Sequence, residues 1–304
     1  MPSAASEAVR AASRALSGAL EPVIGQVYFS PECHARYAAL GFAPSARLMN
    51  GVALPDGPAY FTSRGSLLGQ VCGQLVASAF GVFNPAAVIA SVTFGWTKTD
   101  AETIRAARHD GGVAHLRRLL GPEPDGTHIV AEALARAVDA CRPEGRPLFA
   151  GTISVPAPSD GLGRVFAYGD ALREFRGDSH TAAWISAGLD AVEIGLLTER
   201  YWGLAPKSYV RTRAWTEEQL DEGLERLRVA GFVDETSMTA AGRSARERIE
   251  QATDDQTAPF MRALGDDAAT VTGILASWAA VVRSGHGYPS NGPQELAARA
   301  ARQG

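Results

Sequence analysis

The 304-residue chain reads as a mostly α protein, a helical N-terminal body followed by a C-terminal winged helix-turn-helix unit. Three observations carry that expectation. Leucine, valine and alanine recur at helical spacing, and alternating runs of β-branched residues are nearly absent. Ser30-Pro31-Glu32 is a helix start, with a capping hydroxyl and a proline at the first helical position. Trp215 to Asp254 joins a capped helix (TEEQLDEGLERLRV), a short apolar strand and a Thr-Ala-Ala-Gly turn into another helix, which is the order of a winged helix.

The elements follow in order. Residues 5–27 carry Val9, Ala12, Leu16, Leu20, Val23 and Ile24 on one stripe, and the helix opened by Ser30 ends near Gly41. No charge occurs between Arg64 and Lys98. Gln70, Gln74 and Asn84-Pro85 interrupt that run, so it predicts two buried helices joined at Phe83-Asn84-Pro85 rather than a membrane span. Residues 100–120 and 128–142 read as surface helices with Leu116, Leu119 and Leu120 inward and the arginines outward. The Gly, Pro and Ser content of 151–165 predicts a loop. Helices over 165–175 and 178–200 are expected to hinge at Gly177, and 266–283 is a further helix before a loop and a short terminal helix. The domain expectation is a body over 1–200 with a candidate ligand pocket, a winged-helix-like unit over 201–254, and C-terminal helices over 255–304 packing back.

Charge restricts function. The net charge is −4, which gives no electrostatic case for nucleic acid or an anionic membrane. Between 214 and 235, where a DNA reader needs cations, seven acids stand against two arginines. Three widely spaced cysteines suggest reduced thiols, the N-terminus lacks the order of a signal peptide, and a cytoplasmic location is expected.

The densest polar run is Arg173-Glu174-Phe175-Arg176-Gly177-Asp178-Ser179-His180. In a helix Arg176 and His180 share a face, as do Glu174 and Asp178, so His180 is a candidate general base tuned by nearby carboxylates. An ion network pinning helices together is the competing reading. Arg64 precedes the uncharged block, placed to grip a substrate oxyanion or to pair with Glu174 or Glu193. The candidate catalytic set is therefore His180, Asp178 and Arg64. Candidate substrate contacts are Gln70, Gln74 and Asn84 as amides within the apolar block, Tyr28, Tyr60, Phe61, Trp96 and Trp184 as aromatic walls, and Arg176. There is no GxSxG elbow, HExxH, Walker loop or Rossmann glycine motif, and Cys33-His34 and His109-Asp110 lack metal spacing. Neither metal nor cofactor is expected.

Several segments resemble a SalK-like family of actinobacterial helix-turn-helix proteins. They are Tyr28-Phe29-Ser30-Pro31-Glu32, Tyr60-Phe61 with Arg64 and Leu68-Gly69, Phe83-Asn84-Pro85, Leu116 to Gly121, Arg146-Pro147-Leu148, Leu172-Arg173-Glu174, Arg176-Gly177-Asp178 with His180, Ala187 to Asp190, and Thr239 with Gly242, followed by Arg248-Ile249-Glu250 and Thr253-Asp254. The resemblance spans roughly residues 20–265 and implies the fold, together with a place beside natural-product pathways. Phe175, Ser179 and Thr152 depart from the histidine, glycine and asparagine usual in that family.

The leading functional expectation is a cofactor-independent, enzyme-like pocket for a small apolar metabolite, such as a cyclase or isomerase acting on a polyketide-like substrate. A docking or structural winged-helix protein without chemistry is the alternative. A ligand-responsive regulator is disfavoured by the acidic helix. The expected partner is a small molecule, with no nucleic acid and no membrane, and a homodimer is left open.

Overall fold

The computed structural model describes residues 5–289 apart from Ala46, Asn50 and Thr236. Helix starts follow local chemistry. Ser6, Ser30 and Asp56 cap α1 (Glu7–Gly25), α2 (Pro31–Ala39) and α3 (Gly57–Gly65), each accepting the N–H three residues on. Between α2 and α3, two short strands, β1 (Leu48–Met49) and β2 (Val52–Ala53), pair antiparallel around Gly51 at φ 81°. No strand was expected there, although Asn50-Gly51 is a hairpin signal in sequence.

The uncharged block yields α4 (Gly73–Phe80) and α5 (Pro85–Gly95), with Asn84 capping α5. The expectation of two buried helices is corrected to half-buried ones. Val76, Phe80, Val88 and Val92 pack inward with Phe61 and Phe83, while Leu75 and Phe94 are exposed. No helix among the described residues is long and apolar enough to cross a membrane.

α6 (Ala101–Leu120) and α7 (Thr127–Asp139) lie where expected, but Arg108 is buried rather than outward. α8 (Pro147–Ile153) replaces the start of the expected loop, which shrinks to 154–160. The largest departure is α9 (Gly161–Ser186), which runs unbroken through Gly177. A glycine inside a helix costs only about 1 kcal/mol, and the ion pairs on both sides of this one outweigh that. The break falls at Gly188 instead, at φ 78°, after which Asp190 and Glu193 form a capping box opening α10 (Ala191–Tyr201).

Thr216 and Gln219 form a second capping box at α11 (Glu217–Val229). The expected strand after α11 is reduced to a single antiparallel bridge, Val233 to Met238. Thr239 caps α12 (Ala240–Leu264), which passes straight through position 254 and is followed by α13 (Asp267–Ser284). The terminal helix expected beyond 293 lies outside the described residues.

α9 is the central strut, packed by α1, α6, α7, α8 and α12, and the main core gathers Ile24, Leu116, Leu134, Phe166, Phe175, Phe260 and Leu275 around it. Gly111 lets α6 lie directly on α2, since a Cβ there would fall 2.6 Å from the Cys33 sulfur. α10 and α11 enclose a separate small core of Leu196, Leu197, Val210, Leu220, Leu227 and Val233.

Candidate functional site

Because residues four apart share a helix face, α9 presents Asp170, Glu174 and Asp178 in one direction and Arg176 and His180 in another. In the first row Arg64 grips Glu174 in bidentate fashion at 3.0 and 2.7 Å, and Arg173 adds a bond at 3.1 Å. Arg173 also donates to Glu21 at 2.8 Å and to the Tyr28 hydroxyl at 3.1 Å. One turn earlier, Arg108 donates to both Asp170 oxygens at 2.7 and 2.9 Å, with each side chain only 3% exposed. Tyr60 stands edge-on to Tyr28 at 5.0 Å, and Phe61 stands edge-on to Tyr60 at 5.1 Å. Burial pushes Glu174 up, but the charges of Arg64 and Arg173 outweigh it and hold the carboxyl down at about 2.

Asp178 lies at the end of this row and accepts the Phe149 N–H at 3.0 Å. It thus caps α8, whose own N-terminal residue Arg146 makes no side-chain cap. Burial pushes its carboxyl from 3.8 up to about 7, opposed by that N–H and reinforced by Glu174. A raised carboxyl means that between these values the native state holds a proton the unfolded chain has lost, so its contribution to stability falls as pH rises. Asp178→Asn keeps a carbonyl acceptor for Phe149. Urea melts at about pH 4.5 and 7.5 should therefore show the parent losing stability relative to the variant as pH rises. A pH-independent difference between the two proteins would contradict this.

The second row faces α12. Arg176 pairs with Glu250 and, at 3.3 Å, with Asp254. Glu250 also takes Arg246 at 2.7 Å, and Asp254 takes Arg14 at 2.6 Å. His180 Nδ1 lies 3.1 Å from Thr253 Oγ1, whose own proton goes to the Ile249 carbonyl at 2.8 Å. The imidazole therefore donates from Nδ1 and keeps Nε2 as an acceptor. Burial first, then Arg246, lower His180 to about 3 against the pull of Glu250. The ring is neutral at neutral pH and a weak base there.

The structure thus gathers Tyr28, Tyr60, Phe61, Arg64 and Asp178 on one side of α9 and turns Arg176 and His180 toward another. Trp184 packs with Ile194 and Ile249, its buried indole N–H lacking a partner among the described residues. Trp96 donates to the Val71 carbonyl at 2.7 Å. Gln70 and Gln74 are exposed, correcting the expectation of buried amides. Gln70 falls in the turn before α4, and Gln74 on the outer face of α4 beside exposed Leu75.

Asn84 joins the body to the C-terminal unit. Its backbone N–H donates to the Arg213 carbonyl at 2.9 Å, and its amide donates to the Ala214 carbonyl at 3.0 Å and to Gln219 at 3.2 Å. Trp215 donates to the Val82 carbonyl at 3.0 Å, and the Arg213 guanidinium lies 4.7 Å from the Phe83 ring centre. The first turn of α11 is therefore seated on the α4–α5 turn. Its outward face carries Glu217, Glu218, Asp221, Glu222 and Glu225, all exposed. Lys207 and Arg211 pair with Glu217, and Lys207 with Asp221. Two adjoining depressions lie along α11, one over Ala191, Val192 and Trp215, the other over Val229 and Ala230, sharing Glu222 and Arg226.

Sequence reasoning passed over three features. The Arg108–Asp170 pair joins helices 62 residues apart, with no local signal. Glu199 accepts the N–H groups of Lys207, Tyr209 and Val210, organising the loop before α11. The acids Glu247, Glu250, Asp254 and Asp255 on α12 were legible as a ladder at helical spacing that required cations opposite.

These features define a mostly helical protein. The chain belongs to a helix-turn-helix family whose sequence profile matches residues 13–289, nearly the whole of it. No curated protein and no solved structure matches the chain.

Proposed function

We propose that this protein works by docking a partner protein on the outward face of α11 rather than by reading DNA. The observation that carries this reading is the seating of Gln219, in the first turn of α11, on Asn84, and of Trp215, just before that helix, on the Val82 carbonyl. DNA readers of this type place the N-terminal residues of that helix against base edges. Here that end is engaged within the molecule, and what remains outward is acidic. In this reading α10, α11, the Val233–Met238 turn and α12 are a winged helix given over to protein contact, within the SalK-like group the chain resembles.

The test has two arms. Anisotropy of a labelled duplex at about 50 mM salt should stay flat to about 10 µM protein. A photo-crosslinking residue at Val229, expressed in the native host, should yield a protein adduct that Glu222→Lys with Glu225→Lys abolishes. DNA binding under those conditions, or an adduct indifferent to the charge reversal, overturns the reading.

A second reading, an enzyme-like site for a small metabolite, is favoured by one observation. Asp178, whose carboxyl burial raises to about 7, lies one turn along α9 from Glu174, which Arg64 holds, and both charges act on it, an arrangement suited to acid–base chemistry. Mass spectrometry of small molecules copurifying from the native host tests it. A ligand retained by the parent and lost from a folded Arg64→Ala variant supports it, and identical profiles sink it.

A further inference from the structure

Building on the docking reading, we infer that the groove along α10 and α11 receives a basic amphipathic helix of a different protein. The groove floor is apolar: Ala191, Val192 and Trp215 at one end, Val229 and Ala230 at the other. Val229 is 81% exposed, an aliphatic side chain held in water on the lining of the second depression. Burying such a residue against a partner is favourable in a way that burying a polar one is not.

The rim decides the charge of the occupant. Arg226 contributes little positive potential, since Asp190 holds it at 2.6 Å and Glu193 at 2.9 Å. Glu218 and Glu222 make no ion pair among the described residues, and Glu225 has only Arg228, at 3.4 Å on an exposed turn. The groove is therefore apolar below and anionic at its edge. That is the complement of a helix with one aliphatic face flanked by lysine or arginine. From Gln219 to Ala230 the open face spans about three turns, roughly 16 Å, enough to seat three or four anchors at helical spacing. A second copy of this chain is a poor occupant. A two-fold interface places the same patch on both sides and would set Glu222 and Glu225 against themselves. Nucleic acid is excluded by the same charge.

The experiment uses the full chain and a fluorescein-labelled amphipathic peptide of leucine and lysine, about 15–20 residues long. A control peptide carries glutamate in place of lysine. The lysine peptide should bind, and the glutamate peptide should not. Glu222→Lys with Glu225→Lys should weaken binding roughly tenfold or more, and Val229→Ser should weaken it at unchanged salt dependence. Reversing Asp110 and Glu123, equally exposed but remote from α11, changes net charge identically and should leave affinity unaltered. Equal weakening by the remote pair, or no binding of the lysine peptide, overturns the inference. If the peptide fails while a protein adduct still forms at 229, the partner's chemistry is wrong and docking stands. If both fail, docking falls as well.

Discussion

Asp170→Ala is expected to remove about 3–5 kcal/mol, a large part of the stability a domain of this size possesses. Asp170 and Arg108 are each 3% exposed and share two hydrogen bonds at 2.7 and 2.9 Å. Truncation leaves the guanidinium in the core, with Tyr28 Oη at 3.5 Å as its nearest remaining acceptor and the rings of Tyr28 and Phe166 at 5.7 Å. An arginine cannot shed its proton to escape, so the whole cost of the unpaired charge falls on the native state. Asp170→Asn should fall between parent and Ala variant. Arg108→Met with Asp170→Leu should recover most of the loss, because removing both charges removes the penalty. Urea midpoints at constant m-value are the measurement. A single-variant loss below about 1 kcal/mol would show that water reaches this pair.

Glu250→Ala is the second large effect, expected at about 3 kcal/mol or somewhat more. It strands Arg246, whose side chain is 2% exposed, and takes from Arg176 one of its two acids. Thr198 still accepts from Arg246, and Asp254 still accepts from Arg176, which keeps the cost below that of Asp170→Ala. Burial pushes the Glu250 carboxyl up, but Arg176 and Arg246 overcome it and hold it well below the ordinary 4.5. A depressed carboxyl contributes stability above its unfolded value and loses it as pH falls through its folded one. The gap between parent and variant should therefore be full at neutral pH and shrink on acidification below about 4.5. A cycle with Arg176→Ala should be non-additive. Additive losses, or a gap that widens in acid, would remove Glu250 from this network.

Both effects bear on what the α9 cluster does. In sequence the arginine–acid run fits an ion network that holds helices together somewhat better than catalysis, and in the structure its side chains have named partners. Arg64 meets Glu174, Arg176 meets Glu250 and Asp254, Asp178 caps α8, and His180 donates to Thr253. Arg64 belongs to α3, Phe149 to α8, and Glu250, Thr253 and Asp254 to α12, so the cluster fastens those three helices to the central one. Burial raises the Asp178 carboxyl to about 7 while it caps α8.

Much of the fold was legible because it depends on neighbours in the chain. Ser30, Asn84, Thr216 and Thr239 start helices through bonds to N–H groups two or three residues away, and the apolar stripe of α1 follows from a period of 3.6. The acidity of α11 is likewise a property of its own residues. The failures share the opposite character. Gly177 resembles a breaker to any local rule, yet α9 continues because partners brought from residues 64 and 250 clamp both flanks. Gln70 and Gln74 sit within an uncharged run, and only the packing of α4 on α5 determines which side of that run meets water.

The chain's local chemistry therefore dictated that this is a helical protein, where most helices begin, and that α11 carries the wrong charge for phosphate. Which arginine meets which carboxylate, and that the first turn of α11 is seated on Asn84, was decided by folding. The reason is range: caps and periodicity act over about four residues, whereas pairs such as Arg108–Asp170 and Arg14–Asp254 join groups 62 and 240 residues apart.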